Sequence, residues 1–211
     1  MTEYKDKRPT WCEGDPHAKV VENKMAIMEH FAAIMKLSGI SVDAPDTQRT
    51  PERFWEVINL ATKGYNKQVT LHRVYDDDHL DGLPTMRISK GIKFTSFCEH
   101  HWMPFIGTCD IAYVPDGKVT GMSKLPQVVE KYAMRFQNQE RMTEQIAQEI
   151  WDVVKPQGLM VITRAIHTCE RVEGFVRDGP YICSAVRGVF TKDINPREEA
   201  LKLLETSDNK V

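Results

Sequence analysis

The sequence predicts an α+β protein built on an antiparallel sheet. Three observations predict it: helical apolar spacing in the first third, alternating stretches of strand length in the middle, and helices followed again by strands toward the end. Residues 1–16 are polar, hold Pro9, Gly14 and Pro16, and read as a flexible arm. From 17 to 37, Val20, Val21, Met25, Ile27, Met28, Phe31, Ile34 and Met35 recur at helical spacing, and Ser38-Gly39 ends that helix. A second helix is expected at Thr50-Pro51. Thr50 can cap it, Pro51 suits its first turn, and Gly64 stops it. Residues 17–65 thus read as an N-terminal helical region, with the main domain over 66–211. Within that domain, residues 66–85 carry Asp76-Asp77-Asp78 and Pro84. They read as a solvated acidic connection rather than a metal site, because no second ligand cluster lies beside the run.

Residues 86–97 and 105–114 alternate apolar and polar side chains, as strands do, and Pro115-Asp116-Gly117 is a turn signal. Helices are expected over 125–136 and 141–154, then a break at 156–158. Strands follow over 159–168 and 181–190, with a short closing helix over 196–205.

The charge balance narrows the function. Among 211 residues, 28 Lys and Arg face 30 Asp and Glu, a formal net charge of −2, whereas a generic nucleic-acid binder shows a basic excess. The apolar share of 41% is ordinary for a folded domain. No apolar run approaches the ~20 residues of a membrane span. The first residues lack the apolar core of a signal peptide, and five cysteines are too few and odd for a secreted disulfide framework. A cytoplasmic, reducing setting is the expectation, with neither nucleic acid nor membrane as partner.

The densest chemical cluster is Cys98-Glu99-His100-His101, with a partner about seventy residues on in His167-Thr168-Cys169. Two cysteines and one histidine make a three-ligand set suited to Zn²⁺, which leaves a fourth position for water and lowers that water's pKa to near 7. The remaining histidines can then move protons, because imidazole titrates in the working range. A closed structural zinc staple, or plain buried Cys and His, fits the same spacing. Cys109, on an apolar alternation, and Cys183, on a strand, read as core residues, and Cys12 as incidental. His17, His30, His72 and His79 stand in no motif and read as surface or structural histidines.

Two further groups are less specific. Gly121-Met122-Ser123-Lys124-Leu125 lies at a turn into a helix, where Ser123 can cap and the free N–H groups can hold an anion. Gln139-Glu140-Arg141 opens the next helix. A carboxylate with an amide can read a guanine edge, and an acid at a helix start is also favoured by the dipole alone.

Together these pieces resemble the GTP cyclohydrolase I family. The resemblance rests on Thr50-Pro51-Glu52-Arg53, on Cys98-Glu99-His100-His101 followed by Pro104-Phe105-Ile106-Gly107, and on Ala112-Tyr113-Val114-Pro115. It continues through Gly121-Met122-Ser123-Lys124-Leu125, Gln137-Asn138-Gln139-Glu140-Arg141, Thr143, Gln145-Ile146-Ala147, Ala165-Ile166-His167-Thr168-Cys169 and Gly188-Val189-Phe190. These stand in family order from about residue 20 to 205.

The resemblance implies a tunnelling fold, an antiparallel sheet with helices on one side, assembled into a toroidal homodecamer with active sites at subunit interfaces. It implies Cys98, His101 and Cys169 as zinc ligands, and His100 and His167 as neighbouring acid–base imidazoles. Gln139 and Glu140 would hold the guanine edge, and Ser123 and Lys124 would lie by the ribose and phosphates. The implied reaction is hydrolytic opening of the purine imidazole ring at C8, release of formate, and closure to 7,8-dihydroneopterin triphosphate. That closure needs a ribose 2′-hydroxyl, so a deoxynucleotide would be ring-opened only.

The departures gather at the phosphates. Members usually carry Arg where Gln127 stands, and Arg-Gly-Val where this chain has Glu173-Gly174-Phe175. Some carry Lys at the position of Glu56, and a Thr-rich stretch is replaced by Tyr181-Ile182-Cys183-Ser184. Two lost Arg forks remove strong charge-assisted bonds to phosphate. The resemblance implies zinc hydrolysis of a guanine compound, and the departures leave two substrates open, GTP itself or a guanine compound that carries fewer phosphates or none. Lys124, Arg171, Arg177 and Arg187 can rebuild a phosphate grip from other directions. Two alternatives stand beside this reading. One is a non-catalytic, zinc-bearing oligomer that binds a purine or pterin. The other is a related tunnelling-fold enzyme acting on a deazapurine.

Overall fold

The computed structural model describes residues 12, 14–69, 71, 74–76 and 85–205, of which 74–76 are described as backbone only. Most of the expected arm and of the acidic connection therefore lies outside the described residues.

Helix α1 (Pro16–Glu22) begins on Asp15, whose carboxylate accepts from the N–H groups of His17 and Ala18. The single helix expected over 17–37 is two: the chain breaks at Asn23 before α2 (Lys24–Leu37). Helix α3 (Thr50–Thr62) starts where Thr50-Pro51 predicts, but Arg49 takes the capping position and no side chain caps. It tightens into a 3₁₀ turn over Lys63–Tyr65, so Gly64 lies inside the ending rather than after it.

A short strand β1 (Val74–Asp76) precedes the main sheet strands β2 (Arg87–Cys98) and β3 (Pro104–Val114). Strand β4 (Lys118–Thr120) pairs with β1. Helix α4 (Lys124–Ala133), the two-residue strand β5 (Phe136–Gln137) and helix α5 (Gln139–Val154) follow. The chain closes with β6 (Gly158–His167), α6 (Thr168–Val172), β7 (Tyr181–Gly188), α7 (Val189–Lys192) and α8 (Ile194–Glu205). The helix expected to reach residue 136 stops at Ala133, and the strand expected to reach 190 stops at Gly188.

The five-stranded sheet runs β5-β2-β3-β6-β7. Its main ladders are antiparallel, as the alternation predicts, but β5 joins β2 in parallel through Phe97↔Phe136 and Cys98↔Gln137. A bulge interrupts β2, where Gly91 takes φ 70° and donates its N–H to Asp110 Oδ1 at 2.7 Å. Leu125, Val128, Val129 and Tyr132 recur at helical spacing on α4, and Met142, Ile146, Ile150 and Val154 on α5. They bury one face of the sheet with Phe94, Phe105, Cys109, Ile111, Leu159 and Val161. Each such side chain contributes about 1.5–3 kcal/mol on burial. Helices α7 and α8 cover one end of the opposite face, where Phe190, Ala200 and Leu204 meet Ala112, Val114, Met160 and Ile162. The remainder of that face shows Ile106, Ile166 and Ile182 to solvent.

Candidate metal centre

One end of the sheet carries the motif residues. Strand β2 ends on Cys98, and the loop to β3 is closed by Cys98 N–H to Met103 O at 2.8 Å and Trp102 N–H to Cys98 O at 2.9 Å. Antiparallel pairing sets Phe105 opposite His167, so the start of β3 and the end of β6 share this edge. Helix α6 then turns Cys169 inward, and Thr168 donates its hydroxyl to Pro104 O at 2.6 Å, stapling α6 to β3. Sequence positions about seventy residues apart thus meet because two strand ends coincide.

The ligand atoms of Cys98, His101 and Cys169 all lie within 4.8 Å of one another. Among the described residues this is the one group of three or more such side chains. Both cysteines are buried and His101 is exposed. His101 Nδ1 stands 3.5 Å from Cys98 Sγ. A tetrahedral zinc with the usual Zn–S and Zn–N lengths sets sulfur and nitrogen about 3.6 Å apart, so the spacing fits that ion. The charge balance fits too. Burial and the neighbouring Cys98 sulfur push the Cys169 thiol up, and a divalent cation removes that obstacle to two adjacent thiolates.

The other imidazoles flank this group. His100 is exposed, with Nδ1 3.8 Å from Cys98 Sγ and Nε2 3.7 Å from Glu99 Oε1. His167 is half-buried and stacked on Phe105, with ring centroids 4.5 Å apart and planes 5° apart. Burial holds its pKa below the usual imidazole value, so the ring is neutral near pH 7.

Gln139 lies buried beside these imidazoles. It is 1% exposed, and its Nε2 faces the carbonyls of Thr163 (3.1 Å) and Tyr181 (3.1 Å) and the Thr163 hydroxyl (3.0 Å). Those partners fix the amide orientation, leaving Oε1 to accept from His167 Nε2–H at 3.0 Å. The side-chain amide is thereby hydrogen-bonded within the protein and holds the imidazole. The neutral ring carries its lone pair on Nδ1 as a consequence. Glu140 does stand exposed, and accepts the Tyr181 hydroxyl at 2.9 Å.

Ser123, Lys124 and Gln127 lie elsewhere. Ser123 takes the capping position of α4 but its side chain makes no cap bond. It is the C-terminal end of α4 that leads into β5 beside Cys98. The ten residues of α4 put Ser123 and Lys124 about 15 Å of helix away from that end. Glu173, by contrast, joins the cluster: its Oε1 lies 3.2 Å from His101 Nε2. Of the cations noted in the sequence, Arg177 is paired with Glu170, and Arg187 with Glu144.

Several supporting residues lie inside the quoted motifs without a role of their own there. Glu99 accepts a fork from Arg141 and a bond from Asn138 Nδ2 at 3.2 Å. Asn138 caps α5 by accepting from Arg141 N–H at 2.8 Å. A carboxylate inside a Cys/His cluster, and an Asn before a helical run, were the available hints.

Comparison with known proteins follows the same lines. A model of the GTP cyclohydrolase I family matches residues 27–205. GTP cyclohydrolase 1 of Campylobacter curvus (strain 525.92) is 36% identical over 177 residues, 82% of this chain and 91% of that protein. GTP cyclohydrolase 1 of Hyperthermus butylicus (strain DSM 5456 / JCM 9403 / PLM1-5) is 35% identical over 183 residues, 87% of this chain and 92% of that protein. A solved structure, the archaeosine synthase QueF-Like in the apo form, covers 50% of this chain and 96% of its own, with 18% identity and a TM-score of 0.41. No helix among the described residues is long and apolar enough to cross a membrane.

Proposed function

The chain belongs to the GTP cyclohydrolase I family, and on that premise we propose that it is a zinc-dependent hydrolase that opens the imidazole ring of a guanine compound and releases formate. The observation that carries the reading is the convergence of Cys98, His101 and Cys169 beside two further imidazoles. Zinc bound by those three side chains would supply a Lewis acid and a water of pKa near 7.

The chain's own groups do the rest. Glu140 accepts from the guanine N1–H and exocyclic amine, and the Tyr181 hydroxyl holds that carboxylate in place. His167 takes or gives a proton at the opening ring through Nδ1, its Nε2–H being occupied by Gln139. His100, exposed at the rim, is the second proton carrier.

Assembly belongs to the same reading. Ser123 and Lys124 stand about 15 Å of helix from the metal end of their own protomer, and we take them to meet the ribose and phosphates across a subunit interface. The exposed Ile106, Ile166 and Ile182 give one sheet face the apolar character of a subunit contact. We take the assembly to be a homo-oligomer with sites at its interfaces, a decamer by family likeness. We take the setting to be the cytoplasm, on the sparse and odd cysteine count.

The preferred substrate carries fewer phosphates than GTP. Gln127 brings no charge, and Glu173 places a carboxylate beside His101 where an anionic chain would be repelled. The experiment is formate release and pterin fluorescence from zinc-loaded protein given GTP, GMP and guanosine side by side. Formate from GMP or guanosine at least as fast as from GTP is expected. Efficient GTP-selective turnover rejects the substrate reading, and no formate from any of the three rejects the enzyme reading.

A further inference from the structure

We infer that Glu173 is the positioning carboxylate of the metal site, holding His101 so that Nδ1 faces the two sulfurs. The inference rests on the metal reading above and goes beyond it.

The imidazole of His101 has two nitrogens and sits exposed on a loop, where rotation of the ring presents either one. Glu173 Oε1 lies 3.2 Å from Nε2. A carboxylate there accepts the Nε2–H, which fixes the proton on that nitrogen and leaves the lone pair on Nδ1. Nδ1 is the nitrogen found 3.5 Å from Cys98 Sγ. The two contacts thus agree on a single ring orientation.

The local fold builds this placement. Glu173 caps the C-terminus of α6, immediately after Val172, and its N–H bonds Cys169 O at 3.0 Å. One helical turn therefore carries both a sulfur ligand and the carboxylate that orients the imidazole ligand. The turn is closed by Gly174 N–H to Arg171 O at 3.2 Å and Phe175 N–H to Glu170 O at 2.9 Å, with Gly174 at φ 87°. This paired closure with a left-handed glycine is a Schellman ending, and it fixes where the Glu173 side chain leaves the backbone. A residue read from sequence as a repellent of phosphate is thereby given a second, structural role toward the metal.

Carboxylates in this position typically carry 10–100-fold in metal affinity. The test is zinc affinity of the full chain by chelator competition, without substrate, for the parent, Glu173→Ala, Glu173→Gln and the charge control Asp178→Asn. Cobalt-loaded samples report ligand geometry through their visible absorption bands. Glu173→Ala is expected to bind zinc 10–100-fold more weakly and to alter the cobalt bands. Glu173→Gln, which keeps an acceptor, recovers most of the affinity. Asp178→Asn binds as the parent does, and all four zinc-free chains share one denaturation midpoint. Affinity of Glu173→Ala within twofold of the parent overturns the proposal. So does an equal loss in Asp178→Asn, or a parent that does not hold zinc. A parent that binds zinc tightly yet releases no formate refutes the proposed reaction alone and leaves the affinity comparison standing.

Discussion

Replacing Gln139 by methionine separates the two roles open to that residue, base reading and imidazole positioning. The side chain is 1% exposed and similar in volume to Met, so the change removes polar contacts with little change in packing. An amide offers two N–H donors and one acceptor oxygen. The four contacts to Thr163, Tyr181 and His167 therefore amount to about three well-made bonds. At about 0.5–1.5 kcal/mol net each, their loss costs about 2–4 kcal/mol. A denaturant titration at fixed protomer concentration reads that change. In the zinc-loaded enzyme, an imidazole released from its acceptor no longer sits within reach of the reacting nitrogen. A misplacement of about 1 Å costs about 10²-fold in kcat. The expected result is formate release slowed by about 10²-fold in kcat with KM within about threefold of the parent. Gln139→Glu keeps an acceptor toward His167 and so recovers part of kcat. A tenfold or greater rise in KM at unchanged kcat refutes the reasoning, because that is the signature of a lost contact to the base.

Two further outcomes follow from single side chains. Burial first, and the Glu140 charge second, push the Cys183 thiol up to about 11. At pH 8 its thiolate fraction is about two orders of magnitude below that of a free cysteine, so iodoacetamide labels it correspondingly slowly, and Glu140→Gln speeds the labelling; peptide mapping of the alkylated protein reads both. Gly107 stands opposite Ala165 on β6, and a Cβ there would lie 2.0 Å from Arg164 O and 2.8 Å from Ala165 Cα. Backbone cannot yield as a side chain does, so Gly107→Ala costs at least about 3 kcal/mol, and an unshifted denaturation midpoint refutes this.

The sequence made the strands legible where burial is one-sided. The start of β3 is such a stretch, with Phe105 in the core under α4 and α5 and Ile106 exposed, whereas residues 109–114 are buried on both faces, under α4 and α5 on one and α7 and α8 on the other. The sequence missed the parallel strand β5, because two residues carry no periodicity, and the break at Asn23, because the apolar spacing continues across it. The cysteines and histidines were legible as a cluster through residue type alone. What could not be read was the direction of each side chain. Gln139 opens a helix in either role, and only the pairing of β6 with β7 brings Thr163 and the Tyr181 carbonyl onto its amide. Glu173 likewise carries the same charge whether it repels a phosphate or holds an imidazole. The Schellman closure of α6 sets where that side chain leaves the backbone, and Gly174 was its only trace in the sequence.

The segment from Cys169 to Tyr181 also bears on substrate choice as a whole. Several of its side chains are turned on one another or on the metal end: Glu173 on His101, Arg177 on Glu170 and over the Tyr181 ring, and Tyr181 on Glu140, while Arg171 is exposed and makes no ion pair among the described residues. A guanidinium bound to a carboxylate must give up that partner before it can fork onto a phosphate, and the carboxylate then faces the same phosphate. Exposed pairs of this kind are worth about 0–1 kcal/mol, so one rearrangement is cheap. The repulsion from the carboxylate left behind is not removed by it. A triphosphate therefore meets both terms at once, while a neutral ribose or a single phosphate meets little of either. On the proposed reading, the same segment disfavours a long phosphate chain, with Arg171 the one cation of the segment that is not already paired among the described residues.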